Sequence, residues 1–441
     1  MQNNNISAIL FGVRSENARD ESSKNIIYYA YSGYWSLFSC RGTDFKRGYF
    51  FGQKAYPPLK EKIHLYEQNR FLYKASFDPY FPTLSSDLSY QRTFESSLNS
   101  IGRLWDNQCT LGLTLNYRLF DGGYRYSVKE QTLHTFDQAQ TDIKIMENDL
   151  NYMVKQAFYT ALVKEKILQI RKEAEKIAKK NYELALAKRK AGVAMLSDVT
   201  QAQVRYTNAR METITAKKAL EKAIAELNSL IGWSLDKKTK LEGKLKATWI
   251  NANLSVLEAL ASQKRPEIER QLLETKKAKE AIREYKSNYY PKLDTQLSYY
   301  RYDNDPNFAE KEAVVSVTLS YDIFDGFGRY HKVTAQKQAL QAAQAQLAEI
   351  KRQIRLEVYQ TYKDLELAFS NYQIASELVK EAQVNYNQAY GEYKVGKGDI
   401  ISLIQSELNL AQSKIDWAQQ LLNYNIAISA LERAIFTNLI E

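Results

Sequence analysis

The side chains that could carry chemistry in this chain are few and scattered. Cys40 and Cys109 are the only thiols, and two cysteines make neither a disulfide framework nor a zinc pattern. His64, His134 and His331 stand far apart, none with a second ligand at helical spacing, so no metal is expected. No paired carboxylates and no nucleophile–base set recur in the pattern, so an enzyme is not expected. Lys394-Val395-Gly396-Lys397-Gly398 contains a Gly-x-Gly, but it follows a helical pattern, whereas a phosphate loop follows a strand. No cofactor is expected either. What remains is turn chemistry. Gly192 and Gly396 each interrupt a long helical pattern, and Asp198, just inside the next one, suits a helix N-cap.

Those turns need long elements to hold them. The 441 residues include only 17 Gly and 7 Pro, so long stretches rich in Ala, Gln, Lys, Glu and Leu contain nothing to break a helix. The net charge of +10 lies mostly in stretches such as Lys164 to Lys190, where Lys alternates with Glu. These read as solvated helix faces, and no nucleic-acid partner is expected. No run of ~20 apolar residues could cross a membrane as a helix. Transmembrane strands are another matter, because each spends ~10 alternating residues that hydropathy does not register. The 32 Tyr and 17 Phe suit interfaces that are apolar at one end and wet at the other.

The chain is written twice. Phe120-Asp121-Gly122 returns as Phe324-Asp325-Gly326, and Lys190-Ala191-Gly192 as Lys394-Val395-Gly396, both at an offset of 204 residues. Upstream, Tyr80-Phe81-Pro82 matches Tyr289-Tyr290-Pro291 and Leu88-Ser89-Tyr90 matches Leu297-Ser298-Tyr299, both at 209. The difference falls in a loop between strands. The organisation read from this is an N-terminal segment 1–56, a first structural repeat 57–235 and a second 236–437.

Each repeat opens with period-2 segments. Cys109, Leu111, Leu113, Leu115, Tyr117 and Leu119 alternate with Thr110, Gly112, Thr114, Asn116 and Arg118. Ala313, Val315, Val317, Leu319, Tyr321 and Ile323 alternate with Val314, Ser316, Thr318, Ser320 and Asp322. Leu84 to Gln91 and Leu293 to Tyr300 alternate less cleanly. The pattern predicts one two-faced hairpin per repeat. Four strands cannot close a membrane barrel, which needs about eight or more, so embedded hairpins require several chains to share one barrel.

After Asp121 and Asp325, each a candidate N-cap, the period turns helical. A helix is predicted from about 124 to 190, roughly 100 Å long at 1.5 Å per residue, and another from about 329 to 394 with Gly391 as its one break. The return helix after Gly398 carries two seams. Ile404, Leu408, Ala411, Ile415, Ala418 and Leu422 step by four and three. Leu403, Leu410, Trp417, Tyr424 and Leu431 step by seven. Two seams mean a neighbour on each side, as in a closed ring of helices.

Hairpin, long helix, tight turn and return helix, all duplicated, resemble the TolC-like outer-membrane efflux protein family. The matching residues are Leu254 to Leu260 with Arg265-Pro266-Glu267, like the opening helix of a repeat. Phe81-Pro82-Thr83-Leu84 and Tyr290-Pro291-Lys292-Leu293 are like its helix-to-strand switch. Ala191-Gly192 with Leu196-Ser197-Asp198-Val199, and Tyr393-Lys394-Val395-Gly396 with Ile400, are like its two tips. The resemblance spans about residues 57 to 437. It implies an α+β membrane protein: a homotrimer with a 12-stranded β-barrel in outer-membrane lipid, continued by an α-helical barrel of coiled coils.

The implied function is the exit duct of a tripartite efflux or type I secretion system in the outer membrane of a Gram-negative bacterium. A periplasmic adaptor protein and an inner-membrane transporter would be the partners. The resemblance assigns Gly192, Val193, Val395 and Gly396 to the periplasmic tip and its adaptor contact, and Asp198 and Tyr393 to the gate, with a hydrogen bond across the tip. Asp198 as a simple helix cap is the competing reading. Ser402 and Gln405 stand where acidic residues sit in the best-known relative. A soluble coiled-coil scaffold is the alternative; it explains the helices but not the duplicated hairpins.

The segment 1–56 departs from the family pattern. Met1-Gln2-Asn3-Asn4-Asn5 has no positive charge and Ile6 to Val13 is short, unlike a signal peptide. Lys24 to Cys40 resembles a lipoprotein signal only faintly, since tyrosines and Trp35 interrupt it. The expectation is a wrong start or a reading-frame error, which the coding DNA tests.

Overall fold

The two predicted hairpins find their hydrogen-bond partners in each other. In a computed structural model, which describes residues 56–95, 104–243, 245–249, 253–304 and 308–439, strands β1 (Thr83–Glu95), β2 (Leu104–Phe120), β3 (Lys292–Asp303) and β4 (Glu310–Ser320) form one antiparallel sheet in that order. All of segment 1–56 except Tyr56 lies outside the described residues. Register keeps the two faces aligned across all four strands. Leu84, Leu115, Leu297 and Val315 stand in one row, and Ser86, Leu113, Tyr299 and Ala313 in another. Ser85, Thr114, Ser298 and Val314 belong to the opposite face.

The apolar face is the open one. Leu84 and Val315 are each 72% exposed, while Thr114 and Ser298 on the polar face are 9% and 2% exposed, their hydroxyls 3.4 Å apart. In the two central strands the apolar side is thus the more exposed, inverted relative to a water-soluble sheet, while β1 and β4 expose both faces. Strands β1 and β4 form the edges and have no further partner strand among the described residues.

The helices are α1 (Pro57–Ala75), α2 (Tyr124–Lys190), α3 (Leu196–Ile231), α4 (Leu254–Lys264), α5 (Pro266–Ser287), α6 (Gly328–Val395) and α7 (Ile400–Ile435). Helix α2, with 67 residues, has the predicted limits. Helix α6 runs 68 residues straight through Gly391. The expected break there is therefore corrected: a lone Gly costs only about 1 kcal/mol against Ala, and continuous packing along α6 outweighs it. Each long helix is accompanied by shorter ones meeting end to end beside its middle. Leu59 of α1 and Leu227 and Ile231 of α3 converge on Leu150, Val154 and Phe158 of α2. Ile268 of α5 and Leu431 and Ile435 of α7 converge on Ile354, Val358 and Leu365 of α6, with Leu257 and Ala261 of α4.

Toward the glycine turns the packing order is α3, α2, α7, α6. Both predicted seams of α7 are used. Ile415, Ala418 and Leu422 meet Val163 and Ile170 of α2. On the other side, Tyr424 and Trp417 pack against Phe369 and Tyr372 of α6, with ring centroids 5.7 and 6.5 Å apart.

The strand-to-helix junction is also duplicated. Asp121 and Asp325 are not the N-caps expected; Gly123 and Phe327 are, both in the left-handed region at φ 90° and 67°. The carboxylates still satisfy orphan donors from two residues upstream. Asp121 accepts from the N–H of Gly123 and of Arg125, each at 3.0 Å, and Asp325 from that of Arg329 at 2.7 Å. Each arginine then folds back. Arg125 pairs with Asp121 at 2.7 Å and donates to the Pro79 carbonyl at 2.9 Å. Arg329 pairs with Asp325 at 3.2 Å and donates to the Asn288 carbonyl at 3.2 Å. Tyr80 and Tyr289 lie beneath the two guanidinium groups.

Arg125→Met should therefore destabilise the folded protein by about 2 kcal/mol, the scale of hydrogen bonds to a charged group. Arg329→Met should cost less, because the Asp325 side chain is 29% exposed and that of Asp121 only 7%. Urea unfolding followed by circular dichroism compares the two.

Candidate functional site

Both helical turns are built by one backbone device. The N–H of Val193 donates to the carbonyl of Lys188 at 3.0 Å and that of Gly192 to Arg189 at 3.0 Å. At offset 204, Lys397 donates to Glu392 at 2.9 Å and Gly396 to Tyr393 at 3.2 Å. This Schellman arrangement needs a left-handed residue, and Gly192 and Gly396 supply φ 77° and 82°. The turns present bare apolar side chains, with Val193 72% and Val395 69% exposed; Met195, Leu196 and Ile401 are exposed beside them.

Behind this surface the two turns pack together. Val199 and Ala202 of α3, Ala185 of α2, Tyr393 of α6 and Ile400 and Leu403 of α7 form one buried cluster. Asp198 and Tyr393 are brought near each other, but the expected hydrogen bond between them is not made. The Asp198 carboxylate instead accepts from the Met195 N–H at 3.2 Å; Met195, not Asp198 as expected, is the N-cap of α3, and Asp198 reaches back to it from the third helical position. The Tyr393 hydroxyl is buried with no hydrogen-bond partner. Burial, and next the Asp198 charge, push its pKa above the usual phenolic value. The Lys188 ammonium lies 4.2 Å from the Tyr393 ring centre and donates to its backbone carbonyl.

Further up the helices lies a polar brace that sequence reasoning missed. Glu407 of α7, 1% exposed, accepts from Asn181 of α2 at 2.7 Å and from Arg205 of α3 at 3.0 Å. Glu212 takes a second contact from Arg205 at 3.7 Å and one from Arg171 of α2 at 2.8 Å. Burial raises the Glu407 pKa, against the lowering pull of Arg205 and Asn181. Burial, with the Glu407 charge next, pushes Tyr386 of α6 up to about 12. Above this, Lys155 of α2 and Glu432 of α7 form a second buried pair at 2.5 Å. One signal was present in the sequence: Glu407 falls between Leu403 and Leu410 at seam spacing, where an apolar residue is the norm.

The arrangement is a braced helical wall with an inverted sheet at one end and an apolar double turn at the other. The sequence profile of the outer membrane efflux protein family matches residues 56–233 and again 257–435. The chain belongs to that family. Protein CyaE of Bordetella pertussis is 24% identical over 371 residues, covering 80% of this chain and 76% of that protein.

Among solved structures, the Campylobacter jejuni CmeC outer membrane channel matches with a TM-score of 0.78 at 15% identity, over 91% of this chain and 90% of that one. The open state of the Neisseria gonorrhoeae MtrE outer membrane channel matches at 0.76 with 16% identity, over 90% and 89%. Identities this low report the fold alone. Family and fold together make the protein an outer-membrane exit duct of a Gram-negative bacterium and remove the soluble-scaffold alternative.

The brace yields a test. Arg205→Met leaves Glu407 buried without its cation and should cost about 3–5 kcal/mol. Arg205→Met with Glu407→Leu should recover most of that. Folded Glu407 holds its proton more tightly than the unfolded chain does, so its contribution falls as pH rises through the window from the ordinary to the raised pKa. The single variant should thus regain stability toward acid, and the double variant should not. Urea unfolding across pH measures both.

Proposed function

We propose that three copies close one duct and that cargo passes along its bore. The supporting observation is a repeat relation. Ile415 and Ala418 of α7 are packed with Val163 and Ile170 of α2 in the seam between the repeats. Their counterparts at offset 204 are Met211 and Ile214 of α3 and Leu367 and Ile374 of α6. All four are 60–64% exposed. Helix α3 of one copy is thus suited to α6 of the next, as α7 is to α2 within the chain. The sheet repeats the logic: β2 pairs with β3 between repeats, and β4 is left to pair with β1 of the next copy. Three copies give twelve strands with no free edge, the condition for residence in lipid.

In this assembly Leu113 and Val317 face lipid and Thr114 and Thr318 face the bore. Residues 57–235 and 236–437 act as the two repeats. The turns at Gly192, Val193, Val395 and Gly396 form the periplasmic end. Their exposed valines suit contact with a periplasmic adaptor, through which an inner-membrane transporter supplies cargo and energy. The duct performs no catalytic step. The gate is assigned to Asp198 and Tyr393, acting through the packed ring of Tyr393 and the cap that Asp198 gives α3.

Extracted from outer membranes, the protein should run as a detergent-stable trimer by native mass measurement; monomer alone would overturn the proposal. Leu113→Arg should reduce assembled trimer, at about 2–4 kcal/mol for Arg at the lipid midplane, while Thr114→Arg should be tolerated. At the gate, Tyr393→Ala should raise single-channel conductance in planar bilayers. Tyr393→Phe, which removes only the unpartnered hydroxyl, should leave it near wild type.

A further inference from the structure

Helix α7 is covered on most of its circumference. Helix α6 lies on one side and α2 on the other. The segment joining the repeats lies across it as well. Leu245 packs against the cluster that holds Ala418 and Leu422, the Tyr424 hydroxyl donates to the Thr248 carbonyl, and α4 packs against the last turns. One stripe remains open, and it is made of amides apart from one carboxylate. Gln405, Asn409, Gln412, Asp416, Gln419 and Asn423 recur at alternating steps of four and three, which keeps them on a single helix face.

Their side chains bond along the stripe. Gln405 donates to Asn409 at 2.9 Å, Gln412 to Asp416 at 2.8 Å and Gln419 to Asn423 at 3.2 Å. Five of the six are amides, whereas the exposed face of α2 is dense with Lys and Glu. Such a run is not needed for packing, since it touches no core, and Gln and Asn give no solubility that Lys and Glu would not.

We infer that this stripe is the cargo-facing wall of the duct along α7, and that its amides set a surface that favours neither sign of charge. The inference rests on the closed ring proposed above. A wall one helix thick has an inner and an outer face. The joining segment, present in three copies, would obstruct the bore if it lay inside, so it lies outside and the stripe lies within.

The chemistry follows from the side chains. An amide both donates and accepts, so it meets cationic, anionic and neutral polar cargo alike. Pairing along the helix uses one donor and one acceptor per couple, and the remaining N–H and carbonyl groups face the passing cargo. A ring of carboxylates or ammonium groups at the same place would select by charge. Apart from the single carboxylate level that Asp416 supplies, the stripe therefore suits polar cargo of either charge.

The test uses the full-length trimer in planar bilayers with potassium chloride as the probe. In a background lacking Cys40 and Cys109, Asn409→Cys and Asn423→Cys should each lose current when a membrane-impermeant cationic thiol reagent is added. The triple variant Gln405→Glu, Gln412→Glu, Gln419→Glu should raise the potassium-over-chloride permeability ratio several-fold, and the corresponding Lys triple should lower it. A conducting wild type whose cysteine variants do not respond, and whose triples keep the wild-type ratio, overturns this inference and leaves the duct standing. A wild-type trimer that conducts nothing overturns the duct itself.

Discussion

Backbone N–H and C=O groups have no water to bond in hydrocarbon, so an open sheet edge cannot face lipid. The described residues make four strands and leave two edges, β1 and β4, beside an apolar face that stands exposed. The proposed closure of that sheet with other copies sets demands on the rest of the molecule. Closure around one bore, as proposed, requires each hairpin to hand the chain to a helix at a set angle. The duplicated Asp–Arg clamps at Asp121–Arg125 and Asp325–Arg329 fix that angle by tying the helix start to the carbonyls of Pro79 and Asn288. The left-handed residues before each helix make the sharp corner possible. Gly122 is a case in point: a Cβ there would stand 2.6 Å from the Ser287 carbonyl oxygen.

Long helices carry the wall away from the membrane, and their length creates its own demand. A helix of 67 residues cannot be held by propensity; it needs packing along its whole course. The wall meets this with small side chains at close contacts, such as Ala174, Ala178 and Ala185 of α2, and with larger clusters at mid-length. Buried charges add direction rather than net stability. Replacing a buried pair with apolar groups is often neutral or better, while removing one partner is costly. Glu407 with Arg205 and Asn181, and Lys155 with Glu432, therefore read as devices that set which helix sits beside which. A seam of alanines and leucines alone would tolerate sliding by a heptad; a carboxylate that must find its arginine does not.

Much of this was legible in the sequence, and the reasons are local. Strand faces showed because period 2 survives wherever one side is apolar, and helix limits showed because Gly192 and Gly396 punctuate otherwise unbroken patterns. The two seams of α7 were legible for the same reason. Other features depended on residues distant in sequence. Glu407 and Arg205 lie 202 positions apart, and spacing cannot pair them. Gly391 looked like a break because propensity was weighed without the packing that overrides it. Asp121 and Asp325 were rightly read as satisfying helix-start donors but wrongly placed as the N-cap residues, since the intervening left-handed corner cannot be counted from sequence. Asp198 offered two roles, gate bond and cap. The Met195 N–H, three residues away, is always within reach, while the Tyr393 hydroxyl must be brought from the other repeat.

The two repeats are equal in sequence pattern and unequal in surroundings, and that inequality carries information about what is absent. Asn181 is buried beside Glu407, while its counterpart Asn385 is exposed. Ala418 is buried and Ile214 is not; Val163 is buried and Leu367 is not. Were the chain complete as a monomer, selection for solubility would have made the uncovered copy polar. It has done the reverse, placing larger apolar groups at the exposed positions: Ile for Ala and Leu for Val. An exposed apolar residue is ordinary when it stands alone. Four that reproduce, at one constant offset, the members of a buried seam are not isolated residues; they are the two halves of the same seam, one on each flank of the chain. The intact seam between α2 and α7 is thus the template for the contact proposed between copies, in which each flank finds its complement.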